Sequence, residues 1–186
     1  PWLCNHIWEH YLYTKDIDFL KKYYPILKGS ATFCSEWLVE NSEGELVTPV
    51  STSPENAYLM PDGISASVCE GSTMDIAIIR SLFSNTINAS KILQTDPLFC
   101  AELTQKVNKL KKYQIGSKGQ LLEWDKEYME NEPQHRHVSH LFGLYPGCDI
   151  TDNTPELFDA ARKSLNARGN KTTGWSMAWK ISLWSR

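Results

Sequence analysis

Apolar residues recur at helical spacing at Leu3, Ile7, Trp8, Tyr11 and Leu12, and the polar run Thr14-Lys15-Asp16 breaks the period before Phe19 and Leu20 resume it. The pattern predicts a helical hairpin. Pro25 fits the first turn of a further helix through Ile26, Leu27, Ala31, Phe33, Trp37 and Leu38, because a missing N–H costs nothing at that position. The period then stops. Residues 41–71 carry Asn41, Gly44, Pro49, Pro54, Pro61, Gly63 and Gly71 among many serines, which predicts a long irregular excursion of the kind that either carries function or is disordered.

Ser72 with Asp75 three residues on resembles a capping box in which Asp replaces Glu, ahead of Met74, Ile76, Ile78, Ile79, Leu82, Phe83 and Ile87. A long buried helix is predicted there, and another over Pro97–Tyr113. Residues 114–131 hold two glycines, a short apolar stretch and Glu123-Trp124-Asp125, with no helical period. Thr154 as N-cap, Pro155 at the first helical position, Leu157, Phe158, Ala161, Leu165 and a terminal Gly169 mark out a further helix, and Trp175–Trp184 begins one more. The class is all-α, with helical hairpins packed side by side and long loops between them.

Composition agrees with a folded core: of 186 residues, 41% are hydrophobic and 22% charged. That length supports one domain. No apolar run approaches the roughly 18 residues of a membrane span, and Pro1-Trp2-Leu3 lacks the zones of a signal peptide. A net charge of -3, with Lys21-Lys22 and Lys109–Lys112 reading as solvated helix faces, argues against nucleic acid as a partner. The five cysteines, Cys4, Cys34, Cys69, Cys100 and Cys148, lie far apart without a CxxC pair and predict buried thiols. The chain starts without Met on residues that already read as helix and stops inside another periodic stretch, so an internal piece of a longer protein is expected.

Three segments could carry chemistry. His6-Ile7-Trp8-Glu9-His10 matches the H-x-x-E-H zinc-peptidase pattern, but Trp8, Tyr11, Leu12 and Tyr13 predict a packed helix, and a core or rim histidine pair is the plainer reading. His135-Arg136-His137-Val138-Ser139-His140 groups three imidazoles around a cation. Arg136 would repel a divalent ion, so a ligand rich in hydroxyls or carbonyls suits the segment better than a metal; a hydrogen-bonded helix start inside the core is the alternative. In Ser51-Thr52-Ser53-Pro54-Glu55-Asn56 a loop carboxylate follows proline and small hydroxyl residues. Partial desolvation of Glu55 would suit it to general acid catalysis, whereas a turn carboxylate is the ordinary reading. Glu123-Trp124-Asp125 suggests an aromatic platform for a sugar, and equally a surface turn. Loops carrying acids, aromatics and an Arg-His cluster on paired helices describe a carbohydrate-processing barrel. A zinc peptidase and a helical carbohydrate-binding or scaffold module are the alternatives. No cofactor or metal is called for.

The strings WLCNHIWEHYLYT, STSPENAY, GQLLEWDKEY, EPQHRHVSHLFGLYPG and TGWSMAWKISLWSR, in this order, resemble glycoside hydrolase family 95, the α-L-fucosidases, over essentially the whole chain. The resemblance implies an (α/α)6 barrel, here incomplete, within a larger multidomain enzyme that hydrolyses terminal α-1,2-linked L-fucose with inversion; some members prefer L-galactose. It implies Glu55 as the general acid and Arg136 and His137 as hydrogen-bond partners of the fucose hydroxyls. The partner substrate is then a fucosylated oligosaccharide or glycan. The family's water-positioning asparagines and supporting aspartate are expected upstream of Pro1 and downstream of Arg186, which leaves Asp125 without that role. Twelve barrel helices need roughly 300 or more residues, against about seven helical segments read here. The ring is therefore expected to lack parts of its own barrel, leaving apolar faces exposed and the isolated piece inactive. Members of the family often look exported, so the resemblance implies a secreted or periplasmic parent enzyme, and Asn88-Ala89-Ser90 and Asn170-Lys171-Thr172 are formal glycosylation sequons.

Overall fold

A computed structural model describes residues 1–186, which fall into two compact units: residues 1–47 with 78–111, and residues 48–77 with 112–186. Six α-helices and seven strands of two residues each keep the chain in the all-α class. No helix is long and apolar enough to cross a membrane.

In the first unit, a 3-10 turn at Trp2–Cys4 leads into α1 (Asn5–Thr14), which packs against α2 (Ile17–Trp37) as a hairpin. Lys15 ends α1 in the left-handed conformation, and the Asp16 carboxylate starts α2 by accepting the Phe19 N–H at 2.9 Å. Pro25 does not begin a helix. It lies inside a continuous α2, on its exposed side, where water can serve the carbonyl that proline's absent N–H leaves open. Two segments read as separate helices are therefore one. Short strands β1 (Val39–Glu40) and β2 (Leu46–Val47) pair antiparallel. Leu20, Leu27 and Ala31 of α2 are fully buried, as are Phe83 of α3 (Thr73–Leu93) and Leu103 of α4 (Pro97–Lys109).

Helix α4 ends before the expected Tyr113. At Leu110 the chain turns extended, and the Lys111 N–H donates to the Leu46 carbonyl at 3.1 Å. The open C-terminal carbonyls meet Arg80, whose guanidinium donates to Val107 O, Leu110 O and Lys111 O at 3.2, 3.4 and 3.0 Å. Lys28 closes the other end of the helix by pairing with Asp96 at 2.8 Å. Several large apolar side chains stand in solvent, among them Leu3, Tyr13, Phe33 and Leu98. His10 stacks on Phe19 with ring centroids 3.8 Å apart, and no group of three or more His, Cys, Asp or Glu side chains gathers where it could hold a metal ion.

In the second unit the excursion over 48–71 is ordered by short strands: β3 (Ser51–Thr52) pairs with β6 (Val68–Cys69), while β4 (Tyr58–Leu59) pairs with both β5 (Ser65–Ala66) and β7 (Met129–Glu130). The Ser72 hydroxyl accepts the Asp75 N–H at 3.3 Å, which is half of a capping box. Asp75 does not reciprocate. Its carboxylate takes the Ser51 and Thr48 hydroxyls at 2.6 and 3.4 Å, and burial raises its pKa against the lowering by those bonds.

Helices α5 (Pro155–Arg168) and α6 (Gly174–Trp184) close the unit around Leu121, Val138, Leu141, Leu144, Ile150 and Leu165. Thr154 precedes α5 without a side-chain cap, because its hydroxyl is turned back to the Thr151 carbonyl at 3.0 Å. Of the five thiols expected to be buried, Cys4, Cys34 and Cys100 are, Cys69 is partly so, and Cys148 departs from the expectation by being exposed. Arg80→Leu strips three helix-end carbonyls of a charged donor and is expected to cost about 2 kcal/mol, read as a lowered midpoint in equilibrium urea unfolding.

Candidate functional site

Ser53, Pro54, Glu55 and Asn56 form a turn closed by the Asn56 N–H donating to the Ser53 carbonyl at 3.1 Å. Proline's fixed φ suits the second position, and Glu55 takes the third with φ 55°, the combination of a type II turn. Glycine is the residue that adopts this backbone without strain. A glutamate held there costs roughly 1–3 kcal/mol, which the surroundings must offset.

The surroundings converge on Glu123. Its carboxylate accepts the Ser53 hydroxyl at 2.5 Å and the Asn56 amide at 3.2 and 3.1 Å, so the residues on both sides of Pro54-Glu55 are tied to one buried group. Ser53, Asn56 and Glu123 are all buried, while the Glu55 side chain between the two anchors is 60% exposed. The desolvation expected for Glu55 from sequence is not found. Glu123-Trp124-Asp125 is likewise neither a sugar platform nor a surface turn, since all three residues are buried; Trp124 meets Tyr58 edge-on at 5.4 Å.

Arg168 supplies the countercharge. Its guanidinium binds Glu123 and Glu130 and donates to the Pro133 carbonyl at 2.8 Å, with only 3% of its side chain exposed. Two residues beyond Pro133 begins the His-Arg-His segment. His135 is buried and accepts the His137 N–H on Nδ1 at 3.1 Å; Val138 and Leu141 then anchor the segment in the core. The Ser139 and Ser53 hydroxyls share a 2.7 Å hydrogen bond, which joins this segment directly to the glutamate turn.

The two segments bring Glu55, Arg136 and His137 together. Arg136 donates from Nη2 to the Glu55 carboxylate, and His137 Nε2 lies 3.5 Å from the same oxygen. The Arg136 backbone is held by Ser176, which donates to its carbonyl, and the His137 ring meets the half-exposed Trp175 edge-on at 5.1 Å. Burial lowers the His137 pKa, opposed by the Glu55 charge, so the ring favours its neutral form. An acid, a guanidinium and a neutral imidazole on one accessible rim can donate to and accept from a hydroxyl-rich ligand.

A small cleft borders Glu123, Trp124, Tyr128, Glu130, His140 and Arg168. Glu55, Arg136 and His137 do not line it, so this cleft is separate from the rim where the acid stands. His140 faces it with Nδ1 lacking a hydrogen-bond partner, and burial, then the Arg168 charge, push its pKa down to about 3. At 3.7 Å from Glu123, a neutral His140 leaves charge compensation to Arg168.

Because the unfolded chain would bind a proton at His140 that the folded chain refuses, His140 contributes stability above pH 6.5 that is lost as pH falls toward about 3. The lowered values of His135 and His137 act in the same direction, and the raised Asp75 value acts against it. His140→Gln is expected to flatten the fall of the apparent melting temperature across that interval. Parallel profiles for the two proteins would show that His140 does not set the slope.

The family model described as "Glycosyl hydrolase family 95 catalytic domain" matches residues 1–186. The chain is 45% identical over 188 residues to "Alpha-L-fucosidase 2" of Arabidopsis thaliana, a match that takes in 100% of this chain and 22% of that protein. It is 31% identical over 198 residues to "Probable alpha-fucosidase A" of Aspergillus niger, over 99% of this chain and 24% of that protein. The chain thus spans about a quarter or less of the length of these relatives. With the match running from Pro1 to Arg186 and taking in the glutamate turn and the His-Arg-His segment alike, the chain belongs to glycoside hydrolase family 95 and lies within its catalytic domain.

Proposed function

We propose that this chain is a central piece of an incomplete (α/α)6 barrel in an inverting α-L-fucosidase, which removes terminal α-1,2-linked L-fucose from glycans. Glu55 is the general acid, and Arg136 and His137 hold the sugar. One observation carries the reading: a loop carboxylate, fixed in a strained turn by buried anchors, meets a guanidinium and a neutral imidazole within a few ångströms. The names of the relatives point to the same sugar.

In this mechanism the Glu55 carboxyl protonates the bridging oxygen as the bond to the fucose anomeric carbon breaks, so the aglycone leaves as a neutral alcohol. Fucose hydroxyls would compete for the Arg136 donor spent on Glu55, releasing the carboxyl toward the glycosidic oxygen, while the remaining guanidinium donors hold the sugar. A neutral His137 can donate to one hydroxyl or accept from another. Inversion needs a water activated on the opposite face of the sugar, by groups roughly 6.5–9.5 Å from the acid. Glu123 cannot fill that role, because serine, asparagine and arginine donors already saturate its buried carboxylate. Asp125 is buried as well. The water-activating groups belong to other stretches of the longer protein. The 60% exposure of the Glu55 side chain favours a second reading, a module that holds sugar without cleaving it.

Glu55→Gln in the full-length enzyme decides between the two. Release of fucose from an α-1,2-fucosylated trisaccharide is expected to fall by about 10²–10⁴-fold, with far less loss on a chloronitrophenyl fucoside, whose leaving group needs little protonation. Unchanged turnover of the trisaccharide would refute the acid assignment.

A further inference from the structure

We infer that the buried Glu123–Arg168 ion pair is the positioning device of the site, setting the place of Glu55 and the course of the Arg136-His137 segment at once. The inference rests on the reading of Glu55 as proton donor. Neither Glu123 nor Arg168 touches the rim where the sugar would sit, so both act through other residues.

The connectivity singles out this pair. Glu123 holds the turn at two points, Ser53 and Asn56, one on each side of the acid, so the carboxylate fixes both the location and the tilt of the turn. A single anchor would fix only one. Arg168 holds the opposite segment through Pro133 O, three residues before Arg136, and is itself braced by Glu130 at the end of β7. The ion pair between them is thus the shared fixed point of the two loops that must meet. The Ser53–Ser139 hydrogen bond runs alongside and keeps the loops in register.

The left-handed backbone at Glu55 sharpens the dependence. A turn that a glutamate does not favour holds only while its anchors do, and when Glu123 loses its charge the turn can relax and carry the carboxyl away from the glycosidic oxygen. General acid catalysis tolerates little such movement. Fucose binding tolerates more, because Arg136 and His137 retain Ser176, Val138 and Leu141 as independent supports.

A merely structural ion pair and a positioning pair differ in one measurable respect. Loss of fold lowers turnover of every substrate alike, whereas misplacement of a proton donor hurts only substrates that need the proton. In the full-length enzyme, Glu123→Gln is expected to lower kcat on the α-1,2-fucosylated trisaccharide by about 10²-fold, with KM little changed. On the chloronitrophenyl fucoside, which is less dependent on the proton, the loss should stay within about threefold. Ser53→Ala keeps the buried ion pair intact and should show the same split, roughly tenfold against none, and Ser53→Thr, which restores the hydroxyl, should recover most of it. Equal losses on both substrates, or none on the trisaccharide, would overturn the inference. If Glu123→Gln fails to fold, Ser53→Ala decides alone. Should Glu55→Gln itself show no split, the proton-donor reading falls first; if it shows one and Ser53→Ala does not, only the positioning role falls.

Discussion

A carboxylate removed from water must be given donors or it will not stay charged, and Glu123 is the place where this chain meets that requirement in full. Serine, asparagine and arginine each supply one or more. The donors come from positions 45 to 70 residues away, so one buried group draws two distant stretches of the second unit to itself. Removing either partner of such a pair leaves the other charge uncompensated, at a cost of about 3–5 kcal/mol. The geometry of the exposed rim follows from what is fixed beneath it.

Two different forces then shape the two halves of the rim. The glutamate turn is held almost wholly by polar bonds, through Ser53 and Asn56, and these hold Glu55 in a backbone conformation that its residue type disfavours. The His-Arg-His segment adds apolar burial to its polar bonds from Arg168 and Ser176: Val138 and Leu141 follow it into the core and carry Arg136 and His137 to the surface behind them. Polar anchors give direction, and apolar ones give depth. The same burial that anchors His137 lowers its pKa, which keeps a neutral ring beside Glu55. His140, deeper still, is neutral for the same reason and leaves Arg168 to answer the glutamate.

Much of this was legible in the residue pattern. Helical periods marked every helix, the Ser72 cap was placed correctly, and the ordered motifs brought forward Glu55, Arg136 and His137, which the structure brings together. The failures have two causes: Pro25 and the Thr154 side chain were decided by neighbours close along the chain, and Glu123 by partners remote in sequence. Pro25 read as a helix start because local rules place proline there, yet the hairpin with α1 carries α2 straight through it. Thr154 read as the N-cap and holds that position, but the preceding turn claimed its hydroxyl. Glu123 looked like a flank of an exposed aromatic, since nothing nearby reveals that its donors lie at Ser53, Asn56 and Arg168. Arg168 did carry a signal, because it falls seven residues after Ala161 and three after Leu165, on the apolar face of α5. A cation on a core-facing stripe calls for a buried acid, and following it would have led to Glu123.

If Glu123 matters to catalysis because it places Glu55, the two residues form one device and their substitutions must not add. The direct measurement is a double-mutant cycle in the full-length enzyme, with kcat/KM on the fucosylated trisaccharide read for Glu55→Gln, Glu123→Gln and the pair. The expected result is that the double variant is no slower than Glu55→Gln alone, because a misplaced turn has no proton donor left to misplace. A double variant whose loss equals the product of the two single losses would contradict this and return Glu123 to the ordinary work of holding the fold.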